Sequence, residues 1–289
     1  MFLFIDKTLY MSRITINGNS IGKGEKVKFN LNAYYLSTGA KMDFPIYVFR
    51  SQKTGPTVLF MAGIHGNEVN GIEVIRTFLK QKHFENLLCG SVIVIPIVNI
   101  LSFLNHSREL SDGRDLNRCF PGSRSGSLGS RIAYDLTHKI IPVIDFGVDF
   151  HTGGSEINNY PQVRCILKEE KNMELAKWFG APFILNSSLR DKSFRKEAEK
   201  KGKSILIYEA GESFRFNTVG INEGINSCLR LLKNLKMLDI PVPKSQSIIL
   251  NHSKWLRARI SGLFRTTKKF GTYVEKDQLI GTVSSPYAE

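Results

Sequence analysis

Thr57-Val58-Leu59-Phe60-Met61-Ala62-Gly63-Ile64-His65-Gly66-Asn67-Glu68 joins an unbroken apolar run to a turn that carries a histidine and a carboxylate three residues apart. An apolar run of this length that ends at glycine reads as a strand buried on both faces. Val69, Ile72, Ile75, Phe78 and Leu79 then recur at helical spacing. A buried strand feeding a helix is the building unit of a parallel α/β sheet, in which ligands gather at the C-terminal strand edge. Gly63 and Gly66 permit a tight backbone that converges His65 and Glu68 on one point. Imidazole nitrogen with carboxylate oxygen suits zinc.

Two more strands are predicted to end in chemistry-bearing residues. Phe146-Gly147-Val148-Asp149-Phe150 leads into His151-Thr152-Gly153-Gly154, which makes His151 a third ligand candidate. Ser204-Ile205-Leu206-Ile207-Tyr208 delivers Glu209, a candidate base, with Glu212 an alternative three residues on. Two histidines and a glutamate leave the fourth zinc position open, the arrangement of catalytic rather than structural zinc. After an apolar strand over residues 91–98 comes Arg108, then the polar loop Asp112-Gly113-Arg114-Asp115-Leu116-Asn117-Arg118. Arginine offers a planar fork that grips a carboxylate, and Asn117 adds a donor beside it, so an anionic substrate is implied. Plainer roles stand beside these. A lone strand-end histidine is ordinarily a hydrogen-bonded structural residue, and Arg118 has Asp112 and Asp115 at hand as salt-bridge partners. His83, His106, His138 and His252 lie outside any ligand-spaced pattern.

Gly-x-His-Gly-x-Glu at 63–68, Asp-Leu-Asn-Arg at 115–118, Asp-x-His-Thr at 149–152 and Tyr-Glu-Ala-Gly-Glu at 208–212 follow one another in that order. Together they resemble the succinylglutamate desuccinylase/aspartoacylase family, a branch of the zinc carboxypeptidase-like hydrolases, over residues 12–285. The resemblance implies that His65, Glu68 and His151 hold one zinc per chain and that Glu209 activates the attacking water. It also implies that Arg108 polarises the scissile carbonyl, with Arg114 close enough in sequence to compete, and that Asn117 and Arg118 hold the substrate carboxylate. The implied activity is a zinc amidohydrolase acting on a small anionic N-acyl amino acid. A zinc carboxypeptidase acting on peptides and a non-catalytic zinc or ligand-binding protein are the alternatives, and fold alone does not choose among them.

The expected architecture is α/β: a mainly parallel mixed sheet flanked by helices, zinc carboxypeptidase-like, with a small, incomplete C-terminal β domain. The hydrolase domain is expected over residues 1–240. Its N-terminal β segments fall within 12–50, where stretches at 27–31 and 44–50 flank the turn-prone Ser37-Thr38-Gly39. Helices are expected near 68–81, 128–140, 172–179, 190–201 and 217–236. Pro241-Val242-Pro243 breaks the last of them. Residues 245–289 resemble half of a lipoyl- or biotinyl-carrier barrel, with Asp277 where the family commonly has a turn glycine and Glu289 arriving before the second half. No lysine there sits in a carrier-attachment motif, so no covalently loaded cofactor is expected.

At 289 residues with 42% hydrophobic content, the chain is long enough for a sizeable core. The net charge of +14 invites a nucleic-acid reading. Its densest cluster, at 190–203, interleaves Asp191, Glu197 and Glu199 with the lysines and arginines and reads as a solvated helical face. No nucleic-acid module accompanies it. Residues 1–5 are apolar but are cut short by Asp6 and Lys7, and no stretch approaches the ~18 apolar residues of a membrane span. Four cysteines without paired spacing point to a reducing cytoplasm. The partners expected are therefore the small substrate and, as an open option, further copies of the chain; neither nucleic acid nor membrane is expected.

Overall fold

The computed structural model describes residues 13–35, 38–154 and 157–287. Residues 1–7, Ser37 and Glu289, read above, lie outside the described residues. In chain order, β1 (Ile14–Ile16) and β2 (Asn19–Ile21) form a small ribbon, and β3 (Lys26–Tyr35) and β4 (Lys41–Arg50) form a long hairpin. The alternating part follows as β5 (Thr57–Ala62), α1 (Val69–Lys80), β6 (Ser91–Ile95), α2 (Ile100–Leu104), α3 (Leu128–Asp135) and β7 (Phe146–Gly153). It continues through β8 (Asn159–Cys165), α4 (Glu170–Phe179), β9 (Phe183–Asn186), α5 (Phe194–Lys200), β10 (Ser204–Glu212), α6 (Thr218–Asn234) and β11 (Ile248–Leu250). Two last strands, β12 (Leu263–Thr266) and β13 (Gly281–Ser284), pair antiparallel with each other.

Nine strands make one mixed sheet in the order β11-β9-β8-β10-β7-β5-β6-β4-β3. The ladders from β11 to β8 and from β10 through β7 and β5 to β6 are parallel except where β8 meets β10; β4 adds to β6, and β3 to β4, antiparallel. The mainly parallel architecture expected from the apolar strands is thus present. Its physical basis is visible in β5, all six of whose residues are buried. Val58, Phe60 and Ala62 enter one core with Val74 and Phe78 of α1, Phe179 of α4 and Leu231 of α6. Leu59 and Met61 enter the opposite core with Ile132 of α3 and Phe194 of α5. A strand covered on both faces has no solvent side and therefore no polar alternation.

Some boundaries differ from the sequence reading. The helix expected over 190–201 starts only at Phe194, because Lys192 takes a left-handed φ of 55° and the Ser193 side chain caps the helix by accepting from the Lys196 N–H. The stretch 128–140 is α-helical to Asp135 and then passes into a π turn over Leu136–Ile140. Asp135 is buried there against Tyr34, Asn32 and Lys139, which ties this helix to the N-terminal hairpin.

The chain divides into two compact units, residues 1–250 and 251–289. The first takes in β11, which pairs with β9. The second contains the β12-β13 ribbon, and Asp277 within it adopts a left-handed φ of 64°. That is the conformation for which glycine is the default, and aspartate is among the few other residues that tolerate it. No helix among the described residues is long and apolar enough to cross a membrane. All four cysteines are free thiols.

Candidate active site

The C-terminal ends of β5, β7 and β10, at the middle of the sheet, bring the predicted residues together. Gly66 is required where it stands, since a Cβ there would lie 2.0 Å from the backbone nitrogen of Phe103 in α2. The close approach of the two backbones folds the 63–68 turn back on itself. Glu68 is the N-cap of α1 but does not cap it with its side chain. Its carboxylate turns instead to the two histidines: Oε1 lies 2.8 Å from Nδ1 of His65, and Oε2 2.8 Å from Nδ1 of His151. Oε2 also accepts from the Thr152 N–H at 3.1 Å, and Oε1 from Nη1 of Arg108 at 3.0 Å.

Each imidazole is also held from behind. Nε2 of His65 is 3.0 Å from Oδ1 of Asp115, and Nε2 of His151 is 3.0 Å from Oδ2 of Asp149. Asp115 is fixed in turn by the Asn117 N–H at 2.7 Å and by Nη2 of Arg108 at 3.1 Å. Asp149 is fully buried, and its Oδ1 has no hydrogen-bond partner among the described residues. Burial alone would disfavour the protonated histidines, but Glu68 and Asp115 outweigh it for His65, and Asp149 and Glu68 raise His151 well above its ordinary range. Against the same burial, the two histidines pull Glu68 well below the usual carboxylate range, and His65 with Arg108 does the same for Asp115.

This donor set fits a divalent cation of the zinc class. His65, Glu68 and His151 are all buried, and one ligand atom of each lies within 4.8 Å of the others. Both imidazoles face carboxylate oxygen at each nitrogen. Without an ion only doubly protonated rings satisfy both contacts, in line with the raised pKa values of the two histidines. A cation held by the two histidines and Glu68 would take the place of one proton on each ring and leave the other N–H to donate to an outer carboxylate, the usual support of metal-binding histidines.

Glu209 faces this cluster from β10, where it is the register partner of His151. Burial raises its pKa, an effect that Arg164 and His151 partly offset. One oxygen accepts from Nδ2 of Asn159 at 2.9 Å, and the other forms an ion pair with Nη1 of Arg164 at 3.3 Å. Glu212, the alternative, pairs with Arg215 at 3.5 Å. Arg108 contacts Glu68, whereas Arg114 is exposed and pairs with Asp112 at 3.6 Å. Asn117 spends its Oδ1 on the Phe194 N–H at 2.9 Å, which orients its amino group away from α5 and ties the loop to that helix. Arg118 is exposed, with Nη1 donating to the Asn117 carbonyl, and the two aspartates considered as its partners are engaged by Arg114 and Arg108.

Four supporting residues escaped the sequence reading: Asp149, Asp115 as the partner of His65, Asn159 and Arg164. Asp149 had a usable signal, because residues two apart on a strand share a face and it stands two before His151. Asp115 had none, being 50 residues from the ring it supports.

Comparison with known proteins agrees with this arrangement. Residues 54–235 match the succinylglutamate desuccinylase/aspartoacylase catalytic domain. An N-alpha-acetyl-L-2,4-diaminobutyric acid deacetylase from Halomonas elongata is 29% identical over 243 residues, 79% of this chain and 70% of that protein. A succinylglutamate desuccinylase/aspartoacylase from Rhodobacter sphaeroides superposes with a TM-score of 0.80 at 26% identity, covering 91% of this chain and 84% of the other. The product-bound ectoine utilization protein EutE from Ruegeria pomeroyi shares the fold, with a TM-score of 0.79 at 22% identity over 90% and 83% of the two chains. With more than half of its length in that match and the ordered motifs converging at one sheet edge, the chain belongs to the succinylglutamate desuccinylase/aspartoacylase family.

Proposed function

We propose that this protein is a zinc-dependent amidohydrolase that releases the acyl group of an N-acyl amino acid, with the activity housed in the first unit, residues 1–250, which extends past the expected boundary at 240 to take in β11, and not in the β12-β13 unit of residues 251–289. The observation that carries the reading is the buried convergence of His65, Glu68 and His151, with Arg108 against Glu68 and Glu209 beside His151. Family membership and the deacetylase relative support it.

His65, Glu68 and His151 hold the ion, which when bound supplies Lewis acidity toward a water and the scissile amide carbonyl. Glu209 takes the proton of the attacking water and passes it to the leaving amine. Its raised pKa brings it toward the range in which a carboxylate can do both. Arg108 offers guanidinium N–H groups where negative charge develops on the carbonyl oxygen. Asn117 and Arg118 receive the substrate carboxylate.

The test is a screen of purified, zinc-loaded protein against N-acetyl and N-succinyl amino acids, Nα-acetyl-2,4-diaminobutyrate among them, and short peptides. Release of free amine from acyl amino acids, lost on treatment with a chelator and regained with zinc, is the expected result. Turnover of peptides alone would reassign the protein as a carboxypeptidase. Zinc binding with no turnover of any of them would reassign it as a binding protein.

A further inference from the structure

The carboxylate of Glu209 does not stand free in the site. β8 and β10 run antiparallel, with Glu209 opposite Gln162 and Ile207 opposite Arg164. Residues two apart on a strand share a face, so Arg164 is the diagonal neighbour of Glu209 on one side. On the other side the register slips between Glu209 and Gly211, where Gly211 takes a left-handed φ of 73° and pairs with Asn159. Bulges of this kind re-aim side chains beside active sites. The slip lets Asn159 reach the same carboxylate that Arg164 holds. One oxygen accepts from Asn159, and the other is ion-paired with Nη1 of Arg164 at 3.3 Å. A hydrogen bond to one oxygen and a cation beside the other hold the group from two sides, and with two lone pairs on each oxygen acceptor capacity remains for a water.

We infer that Asn159 and Arg164 are positioning residues that act through Glu209: a two-pronged clamp from β8 that sets the orientation of the base. The inference rests on Glu209 being the base of the proposed deacylation. Two features of Arg164, which is only partly exposed, point inward. It lies on a strand in the interior of the sheet, and its Nε is buried without a partner among the described residues, so the side chain is spent on placing Nη1 rather than on satisfying itself. Asn159 opens β8 and directs its amide to the same acceptor.

The experiment is a double-mutant cycle on the zinc-loaded full chain, using the acyl amino acid that the screen selects. Arg164→Met and Asn159→Ala are made alone and in the Glu209→Gln background, and kcat, KM and zinc per chain are measured for each. A misplaced base costs rate rather than affinity, so Arg164→Met is expected to lower kcat by about tenfold or more, with KM within about twofold. Zinc content should be unchanged, and Arg164→Lys should recover part of the loss. In the Glu209→Gln background the added Arg164→Met should change kcat by less than about twofold, since residues acting as a unit are not additive.

Equal fold losses in both backgrounds, or a rise in KM with kcat intact, would overturn the clamp and place Arg164 on the substrate. Should Arg164→Met fail to fold, Arg164→Lys and Asn159→Ala carry the same test. If Glu209→Gln alone retains full turnover, the base assignment fails and the clamp with it. If Glu209→Gln is strongly slowed but still measurable and the cycle is additive, the clamp alone fails.

Discussion

Glu68 and Arg118 stand in the same candidate site and are held in opposite ways. Glu68 is 1% exposed and is engaged by two imidazoles, a backbone N–H and a guanidinium, each at 3.1 Å or less. Arg118 is exposed and donates to the carbonyl of its own neighbour. The cluster around Glu68 is over-determined: every polar atom that moved would leave a buried charge uncompensated, at a cost of several kcal/mol. The loop around Arg118 carries no such constraint, since an exposed charge re-pairs with water at little cost. Under the proposed roles, a rigid metal cradle would stand beside an adjustable carboxylate gripper, a division that lets one fold keep its chemistry while its substrate changes.

The comparison breaks most sharply at the cradle. Replacing His151 by Ala removes one of three metal donors and leaves both Glu68 and Asp149 facing a void. Zinc is expected to fall from one per chain to near zero, with turnover lost and circular dichroism still that of a folded α/β protein. Full zinc occupancy in the purified variant would end the assignment. The next effect belongs to Arg108, which lies between the two regions because it touches both Glu68 and Asp115. Arg108→Ala is expected to lower kcat by about 100-fold through loss of charge stabilisation. Zinc content has to be read alongside, and a parallel loss of metal would make Arg108 a part of the cradle instead.

A smaller effect tests whether the outer carboxylates belong to the cradle. Asp149→Asn keeps the shape but removes the charge behind His151. Metal affinity is expected to drop by about 10- to 100-fold, the usual consequence of losing an outer partner. Competition against a chelator of known affinity gives the number. An unchanged affinity would mean that the ring is oriented by packing alone.

The same contrast explains what could be read from the sequence. The inner cluster was legible because local rules expose it: an apolar run shows a buried strand, glycine shows a turn, and the strand's C-terminal part marks the edge where side chains converge. His65 and Glu68 follow β5, and His151 and Glu209 lie within the last four residues of β7 and β10. β8 was missed because Asn159-Tyr160-Pro161-Gln162-Val163-Arg164-Cys165 carries proline, arginine and asparagine, none of them a strand former. It becomes a strand because β9 and β10 pair with it on either side. Arg164 and Asn159 therefore acquire meaning only from a pairing that no local pattern encodes, as does Asp115 across its 50-residue separation from His65. The start of α5 moved by four residues for a simpler reason, a left-handed lysine and a serine cap that helical periodicity does not register.

The last and smallest effect lies in the loop. If Arg118 with Asn117 grips the substrate carboxylate, the contact exists before and during the reaction alike, so its loss weakens binding without slowing the chemical step. Arg118→Ala is accordingly expected to raise KM by about tenfold while kcat stays within about twofold. The diagnostic comparison is a matched pair of substrates, one with the free carboxylate and one amidated there. The native protein should prefer the carboxylate, and the variant should lose most of that preference, because the amide never used the arginine. Zinc content and melting temperature should not move, given that the Arg118 side chain is exposed and donates to the Asn117 carbonyl, while its bond to Asp115 is made by the backbone N–H that the variant keeps. Equal losses on both substrates would show that Arg118 supports the loop rather than the ligand. In that case the rigid cradle would extend further along the 108–118 loop than its hydrogen bonds indicate.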